Sequence, residues 1–250
     1  MSRKLKILTL LISNFCLAFQ LGASEFLWDF QDSDPGSAPE GTGVSVFGVS
    51  EGTTQVVVTG GELELHDPFG EPGNRSVYLS REESAAKHPI LQLQLSSPLR
   101  DGRLEFDLFL PGDMGTGLME VDLGDFGGER DQARAKSLAA VQFTTRASGA
   151  SQGKVSCFSG SSKGSDIVST RGESRLDKNK VIISWSGIDG TYRIILNGET
   201  VTSEKHPDGV FPATNPELAE VSTIRFTTAA SAASPSYYID NVRVNGESAQ

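Results

Sequence analysis

Between Arg103 and Leu110 the chain alternates without a break. Leu104, Phe106, Leu108 and Leu110 fall on one parity, and Arg103, Glu105 and Asp107 on the other. Successive side chains of a strand point to opposite faces, so this segment can bury one face only as a β-strand. The pattern recurs. Met119, Val121 and Leu123 alternate with Glu120 and Asp122, Val141 and Phe143 with Gln142 and Thr144, and Tyr192, Ile194 and Leu196 with Arg193 and Asn197. Many short strands, each apolar on one face and separated by Gly, Asp, Asn and Ser, predict two antiparallel sheets packed face to face. Only Glu129 to Ala140 has a helix-forming composition, and it lacks an apolar stripe. The expected fold class is therefore an all-β antiparallel sandwich with little helix. No linker and no internal repeat divides residues 25–247, which are expected to form one domain.

The first 24 residues read differently. Arg3, Lys4 and Lys6 precede an apolar run from Ile7 to Phe19, and Gly22, Ala23 and Ser24 follow it. A basic start, a short apolar stretch and small residues at the exit have the form of a secretory signal peptide. The run is shorter than the about 20 residues a membrane helix needs. A lipid anchor on Cys16 is disfavoured by Phe15, because such signals want a small residue there. Cleavage after Ser24 would leave 226 residues with no further hydrophobic segment, exported and free of the membrane.

Cleavage also sharpens the charge. Three of the 22 basic residues go and all 32 acidic residues stay, so the net charge moves from −10 to −13. Such a surface repels phosphate backbones, which disfavours nucleic acid as a partner, and suits neutral sugars or divalent cations. Cys157 is the one cysteine beyond the signal, so no intrachain disulfide can form, and its setting in KVSCFSG predicts a buried thiol. His66, His88 and His206 are scattered without zinc-ligand spacing, and no phosphate-binding glycine loop is present. Asn74-Arg75-Ser76 is a glycosylation sequon if the source is eukaryotic. Nothing in the chain speaks to oligomeric state.

Several longer segments carry a resemblance. Trp28-Asp29-Phe30-Gln31-Asp32 followed by Asp34-Pro35-Gly36-Ser37-Ala38-Pro39 opens the chain, and Gly60-Gly61-Glu62-Leu63-Glu64-Leu65 comes next. Asn74 to Leu79 continues it, and Lys180 to Asn245 closes it with KVIISWSGIDGTYRIILNG and YYIDNVRV. Together these are similar to concanavalin A-like and laminin G-like jelly rolls, the superfamily of many lectins and glucanases. The resemblance covers most of residues 26–245 and implies a fold rather than one activity.

It also implies two sites. In relatives, the Asp of the final I-D-x-V-R-V strand holds a structural calcium together with backbone carbonyls. That residue is Asp240, with Asp29 and the Gly61 carbonyl as candidate partners, while Gln31 replaces an acid found in relatives. The parity of Tyr237 and Ile239 differs from that of Val242 and Val244, so a bulge at Asp240-Asn241 is expected. Separately, Glu120-Val121-Asp122-Leu123-Gly124-Asp125 resembles the carboxylate strand of laminarinase-type glucanases, with Glu120 as nucleophile, Asp122 as its orienter and Asp125 as acid/base. Retaining hydrolysis needs two carboxyls about 5–5.5 Å apart. Asp125 is a methylene shorter than the usual Glu, and tryptophans are few. The favoured reading is a secreted, non-catalytic carbohydrate-binding protein using Glu120, Asp122, Phe126 and Gln142 on the polar face of a concave sheet. The alternatives are a glucanase using the carboxylate trio and a structural or adhesive surface protein.

Overall fold

The computed structural model describes residues 23–60, 67–69, 73–83, 85–111, 118–128, 134–144, 155–159, 168–169, 178–228 and 234–248. The strands in chain order are β1 (Ala23–Trp28), β2 (Val44–Phe47), β3 (Thr54–Val58), β4 (Val77–Arg81) and β5 (Ile90–Phe109). They continue with β6 (Leu118–Gly124), β7 (Ser137–Thr144), β8 (Val155–Cys157), β9 (Val168–Ser169) and β10 (Lys178–Ser186). The last are β11 (Thr191–Leu196), β12 (Glu199–Thr200), β13 (Phe211–Pro212), β14 (Val221–Thr228) and β15 (Ser236–Ser248). Every pairing among them is antiparallel, and the expected all-β sandwich is what the chain forms. Among the described residues the one helical piece is a 3₁₀ turn at Arg134–Lys136. Residues 137–140, part of the helix-like composition, are strand instead, with Leu138 and Ala139 packed into the core. Residues 129–133 and residues 1–22 of the expected signal segment 1–24 lie outside the described residues, and the last two of that segment, Ala23 and Ser24, open β1 opposite Glu247 and Gly246.

The long strand β5 belongs to both layers. Its first half pairs with β14 and β2, and its second half with β10 and β15. One sheet thus runs β9-β8-β7-β6-β14-β5-β2, called the front sheet below. The other, the back sheet, runs β12-β11-β10-β5-β15, with β1 and β4 beside β15 and β3 beyond β4. The apolar parities read from sequence meet between them. Leu104, Phe106 and Leu108 from β5 and Met119, Val121 and Leu123 from β6 are fully buried, as are Phe143 and Ile194. Phe106 and Phe226 join the two layers edge to face, with ring centroids 5.1 Å apart.

Turn chemistry fits the sequence. Asn197 and Gly198 both take positive φ (53° and 86°), which a two-residue hairpin between β11 and β12 requires. Trp185 is buried on β10, with its six-membered ring against Gly102 of β5, where an added Cβ would lie 2.4 Å from that ring. Among the described residues no helix is long and apolar enough to cross a membrane.

Cys157 is buried in β8, and burial pushes its thiol far above the ordinary range. The native protein should therefore fail to react with a maleimide at pH 8 and should react stoichiometrically once unfolded in urea. Labelling of the folded chain, followed by mass spectrometry, would contradict this placement.

Candidate functional site

The outward face of the front sheet carries a compact polar set. Register places Glu120 between Gln142 on β7 and Thr227 on β14, and Asp122 between Ala140 and Arg225. Arg225 in turn lies opposite Gln92 on β5. Period-two alternation puts all of these side chains on one face, away from the apolar interior. The Gln142 Nε2 donates to Glu120 Oε2 at 2.5 Å, and Ser137 Oγ donates to Asp122 Oδ1 at 3.1 Å. Arg225 Nε donates to Gln92 Oε1 at 2.8 Å, and another guanidinium nitrogen donates to the Gly128 carbonyl. Phe126 folds back from the end of β6, so that its ring lies 4.3 Å from the Arg225 guanidinium carbon.

Of the residues singled out in the sequence, Glu120, Asp122, Phe126 and Gln142 therefore gather on one face, with Phe126 as a cover over Arg225. None stands open to solvent. Glu120 is 7% exposed, Gln142 9%, Phe126 2% and Asp122 0%. The most accessible part is the Glu120–Gln142 pair. Asp125 goes elsewhere. The β6–β7 irregularity lies on the partner strand, where Leu138 is the extra residue between the pairs Leu123–Ala139 and Gly124–Ser137. With β6 itself unbulged, Asp125 stays exposed and accepts a hydrogen bond from Ser222 Oγ at 2.8 Å. It lines a separate depression with Pro98, Leu218 and Glu220. Arg225 and Gln92 were not singled out in the sequence. Their signal was the polar parity of STIRFTT and LQLQL, which becomes a site only when the register sets them beside Asp122.

The second predicted locus sits on the back sheet. The pairing of β15 with β5 shifts between Asp240–Asp107 and Arg243–Glu105, which is the expected bulge, and Asn241 takes φ of 50° there. Asp240 is fully buried. Its Oδ2 accepts from Asn74 Nδ2 at 2.8 Å and its Oδ1 from the Asn241 backbone N–H at 2.7 Å. Asn74 Nδ2 also donates to Asp67 Oδ2 at 3.2 Å. Gln31 Nε2 is surrounded by three oxygens, the Asp29 carbonyl at 2.9 Å, Asn74 Oδ1 at 3.0 Å and the Arg75 carbonyl at 3.1 Å.

Asp29 thus turns its carbonyl into this network, while its exposed carboxylate accepts from the Gln31 N–H at 3.3 Å. Gly61 lies outside the described residues. Asp67, Asn74 and the Arg75 carbonyl are members that the sequence did not single out. Among the described residues no three His, Cys, Asp or Glu form a metal-holding group. The oxygens here come instead from two carboxylates, an amide and main-chain carbonyls, the hard donor types that suit calcium.

Burial raises the Asp240 carboxyl from its ordinary 3.8 to about 6, against the pull of its bonds from Asn74 and Asn241, and the nearby charges of Asp67 and Asp107 push the same way as burial. A carboxyl raised in the folded state contributes full stability only below its unfolded pKa, about 4, and that contribution is lost as pH rises through about 6. In chelator, the melting temperature should therefore carry a downward step between pH 4 and pH 6.5, and Asp240→Asn should flatten it. A variant that keeps the full step would place its origin elsewhere.

No family model matches this sequence, and no curated protein does either. Solved structures do resemble its fold. A sialidase matches with a TM-score of 0.60 and 15% identity over 89% of this chain, which spans only 18% of the sialidase chain. The cellulose-induced protein Cip1 matches at 0.53 with 11% identity, over 88% of this chain and 96% of its own. A Bacillus subtilis protein of unknown function with a galectin-like fold matches at 0.50 with 10% identity, over 83% and 90% of the two chains. At such identities the likeness concerns fold: these are jelly-roll β-sandwiches, consistent with a concanavalin A-like architecture.

Proposed function

We propose that this protein is an extracytoplasmic, non-catalytic glycan-binding β-sandwich stabilised by calcium. The observation that carries the reading is the paired polar set on the front sheet. Glu120 with Gln142, and Arg225 with Gln92, offer carboxylate, amide and guanidinium groups side by side, the mixture of donors and acceptors that sugar hydroxyls require. Ligand entry is at Glu120–Gln142, with Asp122 and Arg225 holding the floor and Phe126 the wall. The geometry argues against hydrolysis: Asp125, the acid/base candidate, leaves the face of Glu120 and Asp122 and turns to Ser222. Two structures of this fold carry names tied to glycans, a sialidase and a cellulose-induced protein. The signal-like start of the sequence agrees with export.

Calcium would be held by Asp240, Asp67, the Asn74 amide oxygen and the Asp29 and Arg75 carbonyls, with the Asn74 amide turned to present its oxygen and the Gln31 amide, which now donates to three of these oxygens, swung aside. Bound there, the ion supplies charge to a buried carboxylate and ties the first strand to the last.

The test is native electrophoresis of the purified protein through gels containing different polysaccharides, with calcium and with chelator. Retardation by one polymer, without new reducing ends, supports the reading. New reducing ends that vanish in Glu120→Gln would replace it with a hydrolase. Mobility unchanged by every polymer would remove the glycan reading.

A further inference from the structure

The back sheet bears an aromatic row on its outward face. Tyr78 on β4, Tyr238 on β15 and Phe109 on β5 are direct register partners, so their rings cross three adjacent strands. The ring centroids of Tyr78 and Tyr238 are 4.8 Å apart, and those of Tyr238 and Phe109 5.8 Å. Phe69 extends the row, 6.4 Å from Phe109. All four are partly exposed, whereas Tyr192 and Tyr237, the other two of the chain's four tyrosines, are buried. Rings placed outward in line on a sheet contribute nothing to the core between the sheets.

Each end of the row opens into a polar cleft. Beside Phe69 lies one of about 420 Å³, lined by Asn74, Asp107, Lys178, Asn197, Asp240 and Asn241. Beside Tyr78 lies one of about 260 Å³, lined by Gln55, Ser80, Arg81, Glu82 and Thr53. Amides, hydroxyls and carboxylates at both ends of an aromatic row match a chain of sugar rings, whose faces are apolar and whose rims are hydroxylated.

The cations of these clefts are already engaged. Lys178 Nζ donates to the Phe69 carbonyl at 2.5 Å, Lys180 pairs with Glu105 at 2.7 Å, and Arg81 donates to the carbonyls of Ala85 and Lys87. Asp107 and Asp240 in the larger cleft and Glu82 in the smaller match Lys178, Lys180 and Arg81 in number, so neither cleft of this acidic chain offers a polyanion a net positive surface.

From this geometry we infer that the outward face of the back sheet is a second glycan site, in which the row Phe69–Phe109–Tyr238–Tyr78 cradles a neutral polysaccharide chain running between the two clefts. The inference rests on the glycan-binding reading above but uses none of its front-sheet residues; the larger cleft shares Asn74 and Asp240 with the calcium locus. The front face takes a short segment at Glu120–Gln142, and the back face takes an extended chain.

The two sites are separated by measuring affinity from gel retardation in soluble neutral glucans, mannans and xylans, with alginate and a sulfated glycan as polyanions. Tyr238→Ala and Tyr78→Ala should each weaken retardation by up to about tenfold, the scale of one lost aromatic contact, and Tyr238→Phe should bind as the parent does. Gln142→Ala should lose only the front face's share of retardation, the remainder still falling when Tyr238→Ala is added, and melting curves should show each variant folded. As a measurement free of substitution, a neutral oligosaccharide should perturb the tyrosine absorption of the unaltered protein, since the two exposed tyrosines both lie in the row. Loss of binding in Gln142→Ala, with both tyrosine variants unaffected, would overturn this inference and leave the first reading standing. Retardation by polyanions alone would overturn the neutral-chain assignment, and no retardation by any polymer would remove both sites together.

Discussion

Phe226→Ala should cost about 3–5 kcal/mol of unfolding free energy, the range for deleting a fully buried aromatic ring. Few substitutions in this chain should cost more. Phe226 is on β14, at the centre of the front sheet, and its ring meets Phe106 of the back sheet edge to face. Removing it takes away buried apolar area and leaves a cavity between the layers, where β6 and β5 hold their fixed register on either side. Domains of this size are stable by about 5–15 kcal/mol, so the loss is a large share of the total. Phe226→Leu keeps most of the volume and should cost less than the alanine variant. Urea denaturation measures both. An alanine cost below about 1 kcal/mol would mean that the layers do not depend on this contact.

Arg225→Met has the second largest expected effect, and it joins stability to function. The arginine is 2% exposed, yet it donates to Gln92 Oε1 and the Gly128 carbonyl and lies against Phe126, with Asp122 opposite in register. Each hydrogen bond from a charged group contributes about 1.5–3 kcal/mol, and methionine restores the volume but no donor. Acceptors are left buried without it, and Asp122 loses the cation across the strand. The variant should unfold at lower urea concentration and lose retardation through the front face. Adding Asp122→Asn should recover part of the stability, because the buried carboxylate opposite Arg225 in register is then replaced by a neutral amide. If the two substitutions simply add, Arg225 and Asp122 act independently and the floor of the site is not one unit.

Much of the fold is legible without coordinates. The parities of Leu104–Leu110, Met119–Leu123 and Tyr192–Leu196 depend only on strand geometry, so the buried faces could be named residue by residue. The bulge at Asp240-Asn241 was readable for the same reason: an apolar parity cannot change sides unless the strand gains a residue. The stretch ending in Leu138, Ala139 and Ala140 was less clear, since alanine and leucine suit helix and strand alike and only packing between the layers chose.

The candidate site divides along the same line. Glu120, Asp122 and Gln142 share a face because of local alternation, and the sequence alone could group Glu120 with Asp122. It could not place Arg225 and Gln92 beside them, because that neighbourhood is made by β14 and by the half of β5 that joins the front sheet. Nor could it tell that Asp125 would turn to Ser222, since the extra residue fell on β7 rather than β6. The row of Tyr78, Tyr238 and Phe109 comes from three distant segments and exists only through their register. What the sequence by itself determined, then, is which side of each strand is apolar, a property of neighbours one and two residues apart. Which polar and aromatic side chains become one surface was decided by tertiary structure, because cross-strand register is set by the packing of all the buried faces at once.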